Sequence, residues 1–119
     1  MRSSNLQSRE TAWGTQSLPV MQDPWQCARM DLDDIAELRR WHRAAALRAR
    51  QAGMDIVYVY AAHTYLLGQF LDPVMNQRGD AYGGTLMNRA RLVRELLEET
   101  RDAVGERCGI ALRIEVDNE

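Results

Sequence analysis

The sequence predicts an α/β chain: a middle slice of a parallel (β/α)8 TIM barrel, about two βα units long. Three observations predict it. After an irregular opening, the signals run helix, strand, helix, strand, and such alternation implies a parallel sheet with right-handed crossovers. The first strand is nearly all apolar, as a strand covered on both faces reads. Two strands cannot close a sheet, and a complete barrel needs about 250 residues, whereas this chain has 119. Residues 1–119 therefore read as part of one barrel domain, with a loop over 1–30 and helix–strand–helix–strand over 31–119. Both strands expect neighbours on edges left open, so the chain is expected to be poorly stable alone.

The elements follow in order. Pro19, Pro24, Gly14 and scattered Ser, Thr and Gln mark residues 1–30 as irregular. Trp13 and Trp25 imply that this loop packs on something. Asp31 can cap a helix, and Asp33 and Asp34 suit its positive end. Ile35, Leu38, Ala45, Ala49 and Ala52 recur at helical spacing, and Gly53 is a natural stop. Met54 to Tyr60 is rich in β-branched and aromatic residues, hence a strand. A long loop occupies about residues 61–86, with a short helical turn over Tyr65–Phe70. The next helix spans about Met87 to Val104, with Leu92, Val93, Leu96, Leu97, Ala103 and Val104 as its apolar stripe. Arg91/Glu95 and Arg94/Glu98 are i,i+4 pairs on its exposed side. Gly105 ends it. Ile110 to Val116 alternates, with Ile110, Leu112, Ile114 and Val116 on one face and Ala111, Arg113 and Glu115 on the other.

Composition narrows the function classes. The chain is 45% hydrophobic with a formal net charge of -2, which fits a soluble cytoplasmic domain. No apolar run approaches the roughly 20 residues of a membrane span. The opening residues contain no apolar segment of the secretion-signal kind. All 15 Lys and Arg residues are Arg, and they are interleaved with acids rather than clustered, which argues against a nucleic-acid partner. Cys27 and Cys108 are isolated and lack metal-ligand spacing, so no metal is expected here and both read as reduced, partly buried thiols.

Three ring side chains, Tyr60, His63 and Tyr65, cluster where the first strand stops. Titratable rings at the end of a buried parallel strand suggest a site at the mouth of an α/β barrel. Tyr60 should point to the interior in register with Met54, Ile56 and Tyr58. The small residues Ala61 and Ala62 let His63 fold back to the same side. A phenol and an imidazole at hydrogen-bond distance can share a proton and polarise a substrate nitrogen or oxygen. The competing reading, slightly favoured by spacing alone, is an aromatic strand end under a loop with a structural His. Arg113 is a charge on a buried strand and needs a carboxylate, a phosphate or an electron-rich ring. It could hold negative charge on a bound cofactor; a salt bridge with Glu115 or another acid is an equal alternative. Gly83 and Gly84, with Asp80 and Tyr82, read as turn chemistry and not as a phosphate loop. Arg78, Asn88, Arg89 and Arg91 read as braces of that loop.

The stretch from Asp55 to Leu92 resembles the old yellow enzyme-like NADH:flavin oxidoreductase family. The resemblance rests on Ala52-Gly53-Met54-Asp55, Thr64-Tyr65, Gln69-Phe70-Leu71-Asp72-Pro73 and the run Asn76 to Arg89 with its Tyr82-Gly83-Gly84. It departs at Gly79, where Thr is usual, and at Met87, where Glu is usual. Both positions bear on loop rigidity more than on chemistry. Tyr60-Ala61-Ala62-His63 is most similar to the trimethylamine, dimethylamine and histamine dehydrogenase branch. Asn5 to Thr11 and Met30 to Ile35 are also similar to that branch.

The resemblance implies an FMN-dependent oxidoreductase that oxidises a methylated or primary amine to an imine, which hydrolyses to aldehyde and smaller amine. Tyr60, His63 and Tyr65 would be the catalytic residues, with an Asp from later in the chain. Arg113 would bind the flavin at its pyrimidine edge. A 4Fe-4S cluster is expected only downstream of these residues, and the flavin-linking Cys only upstream. The implied partners are a small-molecule amine and an electron-transfer acceptor. The full-length protein is expected to be a cytoplasmic homo-oligomer, and this piece to be inactive alone. Two alternatives stay open: an NAD(P)H-dependent ene-reductase of the same family, or a non-enzymatic truncated product.

Overall fold

The structure is a computed structural model and describes residues 11–17 and 26–115. Trp25, the run from Asn5 to Glu10 and Val116 lie outside the described residues. The elements are β1 (Trp13–Gly14), β2 (Ala28–Arg29), α1 (Leu32–Gln51), β3 (Ile56–Ala61), α2 (Leu66–Leu71), α3 (Leu86–Arg89), α4 (Arg91–Val104), a 3-10 turn (Gly105–Arg107) and β4 (Gly109–Ile114). The main sheet is β3 beside β4 in parallel, with α1 and α4 packed together and α4 against both strands.

The opening is less irregular than its composition implies. β1 and β2 pair in parallel, and the amides of Ala28 and Met30 donate to the carbonyls of Ala12 and Gly14 at 2.8 and 3.0 Å. Two-residue strands are too short to show periodicity, so only tertiary packing creates them. Trp13 stacks on Trp41 of α1, with ring centroids 5.2 Å apart and planes within 2°. That contact is what the tryptophan at this position serves.

Asp31 caps α1 as its chemistry predicts. Its side chain accepts from the amide of Asp34 at 2.8 Å, and the Asp34 side chain accepts in return from the Asp31 amide at 2.9 Å. The reciprocal pair satisfies two amides that a helix start otherwise orphans. Gly53, at φ +78°, follows the helix end. The buried stripe is Ile35 and Ala46, with Leu38 and His42 partly buried between them. The expected Ala45 is exposed. It stands about 80° from Ile35 around the helix, whereas Ala46 returns to within about 20°.

The expected single helix over 87–104 is two helices. Ala90 ends α3 and begins α4 with φ -80° and ψ -8°. Leu92, Val93, Leu96, Ala103 and Val104 are buried as the stripe predicts, and Thr100 joins them. Thr100 Oγ1 donates to the Leu96 carbonyl at 2.6 Å, so its oxygen is left to accept from His42 Nε2 at 3.0 Å. Only one of the two expected exposed pairs forms: Arg94 meets Glu98 at 3.8 Å. Arg91 instead donates to the Ala81 carbonyl and Asn88 Oδ1. Glu95 turns inward to Arg39, which also binds Glu99, and accepts from Tyr82 Oη at 3.0 Å. A carboxylate with two donors across the helix interface has a better alternative than a solvated i,i+4 pair.

The core between helices and sheet contains Met30, Ile35, Val59, Phe70, Leu92 and Leu96, all essentially inaccessible to solvent. Each such side chain contributes about 1.5–3 kcal/mol by leaving water. Cys27 and Cys108 are buried and outside any disulfide, and Cys108 Sγ donates to the Met54 carbonyl at 3.1 Å. β3 is shorter at its start and longer at its end than Met54–Tyr60, and β4 stops at Ile114. Within this chain β3 is covered on one face. Val59 and Ala61 are buried, while Ile56 and Tyr58 are 54% and 57% exposed on the other.

The long loop after α2 is organised around one guanidinium. Arg78 is 4% exposed. Its Nε and Nη2 grip Asp80 at 2.5–3.1 Å. Its Nη1 donates to the carbonyls of Met30 at 2.7 Å and Thr15 at 3.4 Å. It also lies 5.6 Å over the Phe70 ring. The Arg78 partnership holds the Asp80 carboxyl below its usual range, against the opposing effect of burial. Arg89 donates to the carbonyls of Leu71 and Gly84, and Asn76 to those of Phe70 and Tyr82. Arg78, Arg89, Arg91 and Asn88 are thus braces, as the sequence predicts.

Two predictions follow from this packing. A Cβ at Gly83 would sit 2.0 Å from the Arg78 carbonyl oxygen, where backbone cannot yield cheaply. Gly83→Ala is expected to lower stability by about 1–3 kcal/mol, read as a shift of the denaturation midpoint. Burial holds the His42 imidazole below its ordinary pKa, outweighing Glu99, which acts to raise it. The folded state therefore disfavours the imidazolium. The stability is complete above the unfolded value of about 6.5 and declines as pH falls from there toward the folded pKa. His42→Gln should flatten that slope in denaturation midpoints measured from pH 7.5 to 5.

Candidate active site

Parallel pairing decides which side chains meet. β3 and β4 are registered with Tyr58 opposite Ala111 and Tyr60 opposite Arg113. Side chains alternate faces along a strand, so Tyr60 and Arg113 emerge as neighbours on the open face, opposite the helices. The Arg113 guanidinium carbon lies 5.4 Å from the Tyr60 ring centroid, a cation–π contact. Among the described residues Arg113 has no ion pair with Glu115.

Beyond Ala61 the chain reverses. The Tyr65 amide donates to the Ala62 carbonyl at 3.2 Å, with His63 and Thr64 between them at φ 57° and 55°. Both central residues at positive φ is the pattern of a type I′ turn, which usually takes Asn, Asp or Gly. No glycine marks it in the sequence. Ala62 is buried, and Gly68 of α2 packs against the backbone of Ala61 and Ala62. The reversal brings His63 Nδ1 to 2.6 Å from Tyr60 Oη. Which of the two atoms donates depends on the imidazole tautomer.

Tyr65 completes the cluster. Its ring centroid is 5.7 Å from that of Tyr60 and 6.3 Å from that of His63. Tyr65 also stands at the N-terminus of α2, whose Gln69 is fully buried and donates to the Thr64 carbonyl at 3.1 Å. The structure brings together all four residues singled out in the sequence, Tyr60, His63, Tyr65 and Arg113. An apolar hollow of about 370 Å³ adjoins the rings along the edge of β3, lined by Tyr58, Tyr60, Tyr65, Leu38, His42 and Leu67 among others.

Sequence reasoning missed one member. Glu115 Oε2 accepts from the His63 backbone amide at 2.8 Å. Strand alternation already placed Glu115 on the Arg113 face, and that was the available signal. The partner it found was a backbone amide rather than Arg113.

This arrangement fits one part of a flavin. Arg113 presents several fixed donors on an open face without a carboxylate partner among the described residues, which suits an anionic edge of a planar ring. No phosphate cradle is present among the described residues. The Gly83–Gly84 turn is filled by the Arg78 backbone, and Arg89 and Arg91 are committed to carbonyls.

Comparison with known proteins places the chain in a family. Residues 5–119 match the NADH:flavin oxidoreductase / NADH oxidase family. Dimethylamine dehydrogenase of Hyphomicrobium sp. (strain x) is 44% identical over 87 residues, which is 73% of this chain and 12% of that protein. An NADPH dehydrogenase of Halalkalibacterium halodurans is 47% identical over 70 residues, 59% of this chain and 21% of that one. The solved structure of 6-hydroxypseudooxynicotine amine oxidase from Pseudomonas geniculata N1 superposes with a TM-score of 0.92 at 44% identity, covering 98% of this chain and 18% of that chain. The chain thus spans about a fifth or less of the length of these relatives. Its helices and parallel strands are a partial (β/α)8 barrel, as their alternation predicts, and the solved neighbours show it to be of the old yellow enzyme type.

Proposed function

The chain belongs to the NADH:flavin oxidoreductase / NADH oxidase family, whose members depend on FMN, and from that premise we propose that it is a middle slice, residues 1–119, of the barrel of an amine dehydrogenase. The observation that carries the reading is the 2.6 Å contact between Tyr60 Oη and His63 Nδ1 with Arg113 beside it on the paired strand. A phenol–imidazole pair can take a proton from a substrate nitrogen and return it. A guanidinium on the same face balances negative charge. Similarity to a dimethylamine dehydrogenase and an amine oxidase supports an amine as substrate.

In this reading the amine nitrogen sits against the Tyr60–His63 pair. The pair orients its lone pair and holds the proton between Oη and Nδ1. Tyr65 walls the site and excludes water from that side. Arg113 would hold the flavin at its pyrimidine edge. Bound FMN supplies the two-electron acceptor for the oxidation. The oxidised substrate is an imine, which takes up water to give an aldehyde and a smaller amine. An Asp that works with the Tyr–His pair, a 4Fe-4S cluster and an electron-transfer acceptor belong to the same proposal, outside these residues, as do a homo-oligomeric assembly and a cytoplasmic location.

The NADPH dehydrogenase relative favours a second reading, reduction of an activated alkene with NAD(P)H. Tyr65 would then donate the proton. A direct assay separates the two. The full-length gene product should oxidise a methylated or primary amine with an artificial electron acceptor. Turnover with no amine, together with NAD(P)H-dependent alkene reduction, contradicts the leading reading.

Tyr60→Phe removes the phenol but keeps the ring under Arg113. It should reduce amine-dependent turnover by about 10²–10⁴-fold while leaving flavin content unchanged. Steady-state kinetics and the flavin absorbance of the purified variant check both parts.

A further inference from the structure

We propose that Glu115 is a positioning residue for His63, holding the imidazole against Tyr60 by fixing the backbone of the turn that carries it. The β3–β4 ladder ends at the pair Ala61 and Ile114. Two residues later His63, beyond the last ladder pair, has turned to φ 57°. An unpaired amide at that point would lose a hydrogen bond. Glu115, one residue past β4, accepts it through Oε2 at 2.8 Å. The side chain thereby extends the ladder across the chain reversal.

The turn requires such a hold. Thr64 is β-branched, and at φ 55° it occupies a conformation such residues rarely adopt. Backbone of this kind persists only where surrounding contacts enforce it. Contacts that do so include the Tyr65 amide to the Ala62 carbonyl, the Gln69 side chain to the Thr64 carbonyl, and the His63 amide to Glu115. The first two fix the far side of the turn. Among them Glu115 alone bonds His63 itself.

The consequence is that β4 and the residue that follows it position both flanks of the ring cluster. Arg113 sits over Tyr60, and two residues on, Glu115 holds the partner of Tyr60. Glu115 touches no reacting atom in this arrangement and acts through the backbone.

The kinetic part of the test rests on the amine-oxidising reading; the structural part does not. Glu115→Ala and Glu115→Gln are made in the full-length flavoprotein. Hydrogen exchange is followed in a peptide covering residues 61–66, and kcat and KM are measured with whichever methylated amine the unaltered protein oxidises. Glu115→Ala should exchange the His63 amide at least about tenfold faster and lower kcat about tenfold with KM little changed. Glu115→Gln keeps an acceptor oxygen and should bring both values back to within about threefold. Equal flavin content in all three proteins shows that the barrel is intact. Unchanged exchange in Glu115→Ala overturns the proposal, and so does failure of Gln to restore exchange, which would make charge rather than the hydrogen bond the operative property. Should the unaltered protein oxidise no amine, the amine reading fails by itself and the exchange result still decides the role of Glu115.

Discussion

The parallel register of β3 on β4 is the constraint from which the rest of this site descends. With Tyr60 opposite Arg113, both side chains leave the sheet away from the helices. A slip of one residue would send one of them into the aliphatic layer beneath. What prevents the slip is packing on the other face. Val59 and Ala61 are buried against Leu66, Phe70, Leu92 and Leu96, so that the odd-numbered residues of β3 have nowhere else to go. Apolar burial on one side of the strand thereby fixes the chemistry on the other. This is the ordinary logic of a barrel strand, whose last residues at the carboxyl end reach the mouth of the barrel.

A second constraint ties the loop behind the site. Arg78 takes a charge out of water, which is costly unless it is paired and fully bonded. Here Asp80 supplies the pair, two carbonyls from the N-terminal segment take the remaining donors, and Phe70 covers the plane. Because those carbonyls belong to Thr15 and Met30, the guanidinium joins three parts of the chain that are distant in sequence. Phe70 also lies in the last turn of α2, the helix that Tyr65 precedes, so the same knot steadies the ring-bearing turn from below. Gly83 owes its identity to this knot: the chain passes so close to the Arg78 carbonyl that a side chain has no room. Gly84, at φ +81°, then reverses direction.

Much of this was legible in the sequence, and the exceptions have physical causes. Asp31 and Gly53 announce the ends of α1 because caps are local chemistry. The approach of His63 to Tyr60 was legible because Ala61 and Ala62 are too small to obstruct a reversal. The sharpness of that reversal was not, since Thr64 gives no hint of positive φ. Arg91 and Glu95 have the spacing of a surface pair, but each found a buried or backbone partner that spacing cannot reveal. The break at Ala90 lies between two good helical stretches, and nothing in an alanine marks it. The short pairing of Trp13–Gly14 with Ala28–Arg29 depends on Arg78 and Trp41, which lie far along the chain. The family and its flavin dependence came from resemblance, and the proposed substrate class and residue roles rest on it too, because none of these follows from periodicity or composition.

We propose that Tyr60, His63 and Arg113, joined by the 2.6 Å Tyr60–His63 contact and the Arg113–Tyr60 stacking, face one bound flavin in the full-length protein. A crystal structure of the full-length protein with FMN bound tests it most directly. The Arg113 guanidinium should lie at about 3 Å, hydrogen-bonding distance, from the pyrimidine edge of the flavin, with the Tyr60–His63 pair still joined above the ring. Arg113 turned to a carboxylate, with the flavin seated away from Tyr60, would contradict it.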